Sequence, residues 1–342
     1  MPAKKLSQSA LALWVRKLIE TRRVVAPQAK AEHFAYAPLS QAEDLRLDHD
    51  VTILPPRKYL MPPSEVLLRF TRKDGYTSVI EHEPMILFGV HPYDVAAIAQ
   101  ADRYFLHDRP DIHYQTRRRS ITIVASDVQN ASEDVFAACL GTATVHDGFD
   151  VLLTRVGDAY VIESRTPAGD ALLALAQDLQ EADPVSLGRR EQVWEDAQKL
   201  LRRQVLKCNP QELPALLDAA REHPVWEKRS QTCFSCGSCV TVCPSCFCFD
   251  VEDELDPDLQ SGTRRRQWDA CLLSGFAVVA GGHNFRKRRE ERYRHRFYRK
   301  AKYLPERFGF MGCVGCGRCV KACTAGIANP VEVYNTLLEG AS

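Results

Sequence analysis

Two runs of cysteine at one spacing constrain this chain more than any other feature of it. Cys233, Cys236, Cys239 and Cys243, the last followed by Pro244, and then Cys313, Cys316, Cys319 and Cys323 both read C-x2-C-x2-C-x3-C. Three thiols spaced three residues apart curl the backbone around three corners of a compact inorganic core, and the fourth begins a helix that points away. Of the 13 cysteines, 12 lie beyond residue 207. In a reducing compartment that pattern speaks for metal rather than for disulfides. The spacing is that of bacterial ferredoxins, in which the fourth cysteine ligates the other cluster. A tetrahedral zinc site takes two C-x2-C pairs and would leave the third and fourth cysteines of each run idle.

The exchange assigns one [4Fe-4S] cluster to Cys233, Cys236, Cys239 and Cys323, and a second to Cys313, Cys316, Cys319 and Cys243. Gly237 and Gly317 occupy matching places, where a missing β-carbon lets backbone N–H groups approach the cluster sulfurs. Cys323 is followed by Thr324 instead of proline, which weakens a turn preference without removing a ligand. Two adjacent clusters are more than stability needs, and cubanes of this type shuttle single electrons.

The chain around these runs has 342 residues, room for about two domains. With 45 Lys and Arg against 44 Asp and Glu, the net charge of +1 gives no global attraction to nucleic acid or an anionic membrane. The longest apolar runs, such as Ala10 to Val15 and Met85 to Val90, are far shorter than the roughly 20 residues of a membrane span. Lys4 and Lys5 precede the first of them, but Arg16 and Lys17 interrupt it before any signal-peptide pattern forms. The reading is a cytoplasmic protein without a membrane span.

Leu11, Trp14, Val15 and Leu18 predict a first helix capped by Ser7 or Ser9. Short β-rich runs follow at Val51 to Leu54, Val66 to Phe70, Met85 to Val90, Ile121 to Ala125, Val151 to Val156 and Tyr160 to Glu163. Helices are expected from Asp94 to Phe105 and from Asp134 to Leu140. A mostly polar helical stretch runs from about Pro167 to Leu206, interrupted near Pro184, and Cys208-Asn209-Pro210 marks a break. The fold class expected is therefore α+β. Residues 1–207 form an α/β domain with a mixed sheet and a helical linker at its end, serving as scaffold or docking module. Residues 208–342 form a helical, ferredoxin-like dicluster domain without a convincing strand.

Roughly seventy residues separate the two runs, so the segment between them should have structure of its own. There, Tyr293, Phe297, Ala301 and Leu304 mark the buried stripe of a helix. Its other positions carry Arg288, Arg289, Arg292, Arg294, Arg296, Arg299 and Lys300. A solvated basic face is the default expectation, with docking of an acidic partner or salt bridges to Glu252, Asp253 and Glu254 as alternatives. RNA is disfavoured because the aromatics sit on the buried stripe. Cys208, Cys246, Cys248 and Cys271 read as inert core, although Cys246, Cys248 and Cys271 are also candidates for a further noncubane metal or persulfide site. His91 and His113 read as structural, and Asp94 as a helix cap after Pro92.

The stretch Cys243-Pro-Ser-Cys-Phe-Cys-Phe-Asp250, with Trp268-Asp-Ala-Cys271, His283-Asn284 and the second cysteine run, resembles the β subunit of cytoplasmic [NiFe] sulfhydrogenases and the dicluster electron-transfer subunit of anaerobic sulfite reductase. Pro56-Arg57-Lys58, Pro62-Pro63-Ser64-Glu65, Gly89-Val-His-Pro92 with Asp94, and Gly148-Phe149-Asp150 look like that family's landmarks in the first half. Many of the members it resembles carry further cysteines at the positions of Tyr93, Ser126 or Asp127, Val135 and Ala137, where this chain has no thiol. Any N-terminal cluster is therefore expected to be lost, since Cys139 alone cannot hold one.

The resemblance implies a non-catalytic electron-transfer subunit. It would relay single electrons between two partners, with a flavin, NAD(P)-binding reductase subunit on one side and a [NiFe]-hydrogenase catalytic subunit on the other. A relay in a sulfite reductase or a heterodisulfide-reductase-like complex is the alternative, and an interaction module with structural clusters is an alternative of another class. No G-x-G-x-x-G, phosphate loop, G-x-S-x-G or zinc-protease helix accompanies the clusters, in keeping with a relay.

Overall fold

The computed structural model describes residues 3–340. Its larger sheet has eight strands: β1 (Lys4–Ser7), β2 (Arg23–Lys30), β3 (His33–Pro38), β6 (Met85–Val90), β7 (Ile121–Ser126), β8 (Val151–Val156), β9 (Ala159–Ser164) and the two-residue β10 (Gln180–Glu181). Their order is β10-β1-β9-β8-β7-β6-β2-β3. β2, β6, β7 and β8 run parallel, and the flanking pairs are antiparallel. The central strands β6 and β7 are buried on both faces, as expected of parallel strands covered by helices.

Strand alternation builds two cores from one sheet. Ile86, Phe88, Val124 and Leu153 point to the side covered by α1 (Gln8–Thr21) and α4 (Pro167–Leu173). Leu87, Ile123, Ala125 and Leu152 point to the side covered by α2 (Pro92–Phe105) and α3 (Ile112–Ser120). Ser7 caps α1 by accepting the Ala10 N–H. The polar stretch that follows folds as α4, β10 and α5 (Pro184–Leu200), the last opened by Asp183 and Pro184.

Three local expectations fail. Val51 to Leu54 is not a strand; Thr52 makes only an isolated bridge to Phe34. Asp134 to Leu140 forms only a 3-10 turn over Ala137–Leu140, because its backbone is diverted to Gly315 and Leu201. The segment between the cysteine runs also contains strands, β11 (Phe249–Leu255) and β12 (Ser261–Trp268). They join β4 (Ser64–Thr71) and β5 (Gly75–Ser78) in a four-stranded sheet of order β11-β12-β4-β5. This sheet therefore unites chain from both halves of the sequence.

The C-terminal part is otherwise helical: α6 (Leu213–Ala219), α7 (Val225–Ser230), α8 (Ser238–Thr241), α9 (Arg289–Tyr298), α10 (Leu304–Phe308), α11 (Arg318–Lys321) and α12 (Pro330–Glu339). Leu213, Leu217, Trp226, Tyr293, Phe297, Val333 and Leu337 form its core. Among the described residues no helix is long and apolar enough to cross a membrane.

Candidate metal centre

Each cysteine run turns on a left-handed glycine, Gly237 at φ +75° and Gly317 at φ +78°, and enters a four-residue helix, α8 or α11. The need for glycine is conformational and also steric. A β-carbon at Gly237 would lie 2.7 Å from the Ala270 Cβ, and one at Gly317 would lie 2.8 Å from the Asp134 backbone. Where backbone does reach sulfur, the donor at the first run is the Ser235 N–H, 3.4 Å from the Cys233 Sγ.

The two short helices touch each other and carry the fourth cysteine of each run across to the opposite one. One cavity is lined by Cys233, Cys236, Cys239 and, from the second run, Cys323. Cys243, from the first run, lies close enough to Cys313, Cys316 and Cys319 for its charge to act on each of those thiols. Among the described residues no three His, Cys, Asp or Glu side chains converge as ligands of one ion do. Four thiols around one cavity are a donor set of the number and chemistry that a cubane takes.

The cations of α9 and the turn that follows it show how anionic centres are accommodated here, and they correct the expectation of a solvated basic face in part: Arg288 and Arg289 are exposed, but three others are not. Arg292, Arg296 and Lys300, spaced four residues apart, are buried; Arg296 and Lys300 lie among the thiols, whereas Arg292 is spent on the Leu272, Arg286 and Lys287 carbonyls and on Ser235. Asp253 and Glu254 instead pair with Arg264 and Arg265 across β11 and β12. The helix continues through a π turn over Arg299–Tyr303 before α10. Inside that turn the Lys300 ammonium donates to the Cys243 Sγ at 3.1 Å, the Ser245 Oγ at 3.0 Å and the Gly312 carbonyl at 2.9 Å. Burial alone would lower its pKa, but Cys243, Cys246 and Cys313 hold it well above the ordinary value.

Arg296 is buried between the two sets. Its Nη1 donates to the Ala328 carbonyl, while Nε and Nη2 have no acceptor. Burial works against its charge, but Cys239, Cys319, Cys243 and Cys246 together outweigh burial and raise its pKa. Guanidinium nitrogens without an oxygen acceptor, set among thiols, are what a cluster's sulfides would satisfy. Burial pushes the Cys239 and Cys313 thiols up to about 11. A cation stripe is therefore the physical condition for negative charge at this depth.

The sequence landmarks of the first half tie it to the cysteine runs. Arg57 donates to the carbonyls of Cys246 and Thr241 and stacks over Trp268. Asp94 does not cap its helix; its carboxylate grips Arg318 of the second run through two bonds of 2.7 and 2.6 Å, with both side chains buried. Arg318 also donates to Thr52. Glu65 is buried between Arg117 and Arg266, linking α3, β4 and β12. Asp150 accepts from the Ile123 N–H and from Thr166.

Tyr93, Val135 and Ala137 pack in one apolar cluster with Val314 and Cys316, with Ser126 and Asp127 buried in the same domain. Cys246, Cys248 and Cys271 are buried in a cluster with Cys243. All are free thiols; Cys246 is the neighbour of Cys243 and Cys248 that of Cys271, and the Cys271 thiol together with Arg299 lowers the Cys248 thiol to about 6. Cys208 and Cys139 lie apart from both sets, against the helical core. His91 and His113 are core residues, in agreement with their sequence context.

Residues 232–327 match the family described as a 4Fe-4S dicluster domain, so the class of protein is that of iron-sulfur proteins built on this domain. Over 337 residues, 98% of either chain, the protein is 32% identical to the beta subunit of sulfhydrogenase 2 from Pyrococcus furiosus. The chain belongs to the family of sulfhydrogenase beta subunits. No solved structure matches it.

Proposed function

We propose that this chain is the electron-relay subunit of a multisubunit oxidoreductase. It would stand between a flavin subunit that handles NAD(P)H and a [NiFe]-hydrogenase catalytic subunit. Residues 208–342 would be the dicluster domain and residues 1–207 its scaffold. Cys233, Cys236, Cys239 and Cys323 would hold one [4Fe-4S] cluster, and Cys313, Cys316, Cys319 and Cys243 the other. Such clusters, when bound, accept and release one electron each. The observation that carries the reading is the cavity in which Cys323 joins the three thiols of the other run.

The protein's own contribution is to hold charge. Lys300 neutralises the Cys243 side of one set, and Arg296 serves both. Arg57 and Arg318 fix the two runs to a rigid sheet domain, so the spacing between the sets is held from outside. The filled apolar joint at Tyr93, Val135 and Ala137 supports a scaffold role for the first domain.

The ligand exchange is tested by cysteine variants. Cys243→Ala and Cys313→Ala should abolish the same cluster signal in electron paramagnetic resonance of the reduced protein. Cys323→Ala should abolish the signal that Cys233→Ala abolishes. Damage confined to each residue's own run contradicts the assignment.

A further inference from the structure

The two sets of thiols differ in their distance from solvent. Cys236 is exposed and Cys233 and Cys323 are half-buried, whereas Cys243, Cys316 and Cys319 are buried. Between the first two cysteines of the exposed set stands Phe234, 71% exposed. Phe234 also lines the cavity that Cys233, Cys236, Cys239 and Cys323 share.

Phe234 is not alone. The segment after Cys271 carries Leu273, Val278, Val279 and Phe285, all exposed, Phe285 at 67%. Arg292 clamps this segment to the first cysteine run. Its Nε donates to Leu272, its Nη1 to the carbonyls of Arg286 and Lys287, and its Nη2 to Ser235. Arg289 adds a bond to the Gln231 carbonyl. These bonds hold the two segments that carry the exposed apolar side chains next to each other beside the first cysteine run.

The rim of that face is basic. Arg286, Lys287, Arg288 and Arg289 are consecutive, and Lys228 is exposed nearby. The acids beside them are engaged locally: Glu290 pairs with Arg288, and Glu291 accepts from the Arg288 N–H. Residues 286–291 hold four basic and two acidic side chains, a local net charge of +2 in a chain of net charge +1. An apolar centre with a charged rim is the anatomy of a protein interface, and the sign of the rim selects the partner.

We propose that this face, centred on Phe234 and rimmed by residues 286–289, is where an acidic subunit of the same complex docks to exchange electrons with the Cys233 set. The inference rests on the relay reading and adds which of the two centres meets the partner. Phe234 and the Leu273 to Phe285 segment exclude water at the contact, and the arginines steer approach.

The test uses the complex purified from its host and the full-length chain alone. Hydrogen exchange of peptides covering residues 232–238 and 273–289 should be slowed in the complex. The double variant Lys287→Glu with Arg288→Glu should weaken assembly about tenfold and lower the salt concentration at which the partner dissociates. Phe234→Ser should weaken assembly without that change in salt dependence. Iron content and cluster spectra of the Lys287→Glu, Arg288→Glu double variant should match the parent. Equal exchange in complex and free chain, unchanged assembly in both variants, or protection caused by the chain pairing with itself overturns the proposal. If the clusters titrate normally while this face stays unprotected, docking fails and the relay stands; an iron-free chain fails the relay whatever the exchange shows.

Discussion

Lys300 shows how one side chain joins stability to function. All three of its N–H donors are engaged, one of them on the Cys243 sulfur. A positive charge beside a ligand sulfur favours the more reduced, more negative state. Lys300→Met should therefore lower the midpoint potential of the cluster held by Cys313, Cys316, Cys319 and Cys243. A tenfold change in the reduction equilibrium, about 60 mV for one electron, is the scale expected. A potentiometric titration checks it, with the Cys233 cluster, farther from the ammonium, moving less. The two cysteine runs are legible from spacing because the members of each run are local in sequence. The roles of Lys300, Arg296 and Asp94 are not, since a charged residue is normally solvated. Only the four-residue spacing of Arg292, Arg296 and Lys300 hints that one basic stripe turns inward.

His91, structural by its place beside a strand end, stacks on His49 in the buried core, with ring centroids 3.8 Å apart. The Arg46 carbonyl can only accept, so the His49 Nδ1 carries the proton and Nε2 is a bare acceptor without a partner. Burial lowers the His49 pKa to about 4, from 6.5. The unfolded chain then binds a proton between those values and the folded chain does not. Stability should fall with acidity from about pH 6.5 to about pH 4, by up to about 1.4 kcal/mol per pH unit for this residue. Denaturant unfolding across that range measures the slope, and His49→Phe should reduce it.

At the scale of elements, the strands legible in the sequence are the apolar ones. β6 matches its expected limits, and β7, β8 and β9 differ from theirs by a residue at most. β2 is hidden because it contains Pro27, tolerated because pairing with β6 covers only Arg23 to Val25. β11 is hidden because acidic residues are poor strand formers. It persists because Asp253 and Glu254 face the arginines of β12. The glycine before each short helix is legible by its repetition, but its packing against Ala270 or Asp134 is not. Gly317→Ala places a β-carbon in a left-handed backbone and against Asp134. It should destabilise the protein by about 1–3 kcal/mol or more. A lowered thermal midpoint with reduced iron occupancy is the expected readout, and an unchanged midpoint contradicts the packing described.

At the scale of the molecule, the division into a sheet domain and a cysteine-rich domain conceals how much they share. β4 and β12 make one sheet, Arg57 reaches into the first cysteine run, and Arg318 of the second run is buried on Asp94. Removing one partner of such a buried pair costs about 3–5 kcal/mol. These contacts tie both cysteine runs to the sheet-bearing half of the chain. The sequence points to these contacts only as short landmarks, because each joins residues more than a hundred positions apart. The asymmetry between an exposed and an enclosed set likewise emerges only when the whole chain is folded.

The most direct measurement is a reductive titration of anaerobically purified protein, followed by electron paramagnetic resonance with iron and sulfide analysis of the same sample. The account predicts about eight iron and eight sulfide per chain and two one-electron steps giving interacting paramagnetic signals. Colourless protein without iron, or iron that accepts no electron at accessible potentials, would contradict it.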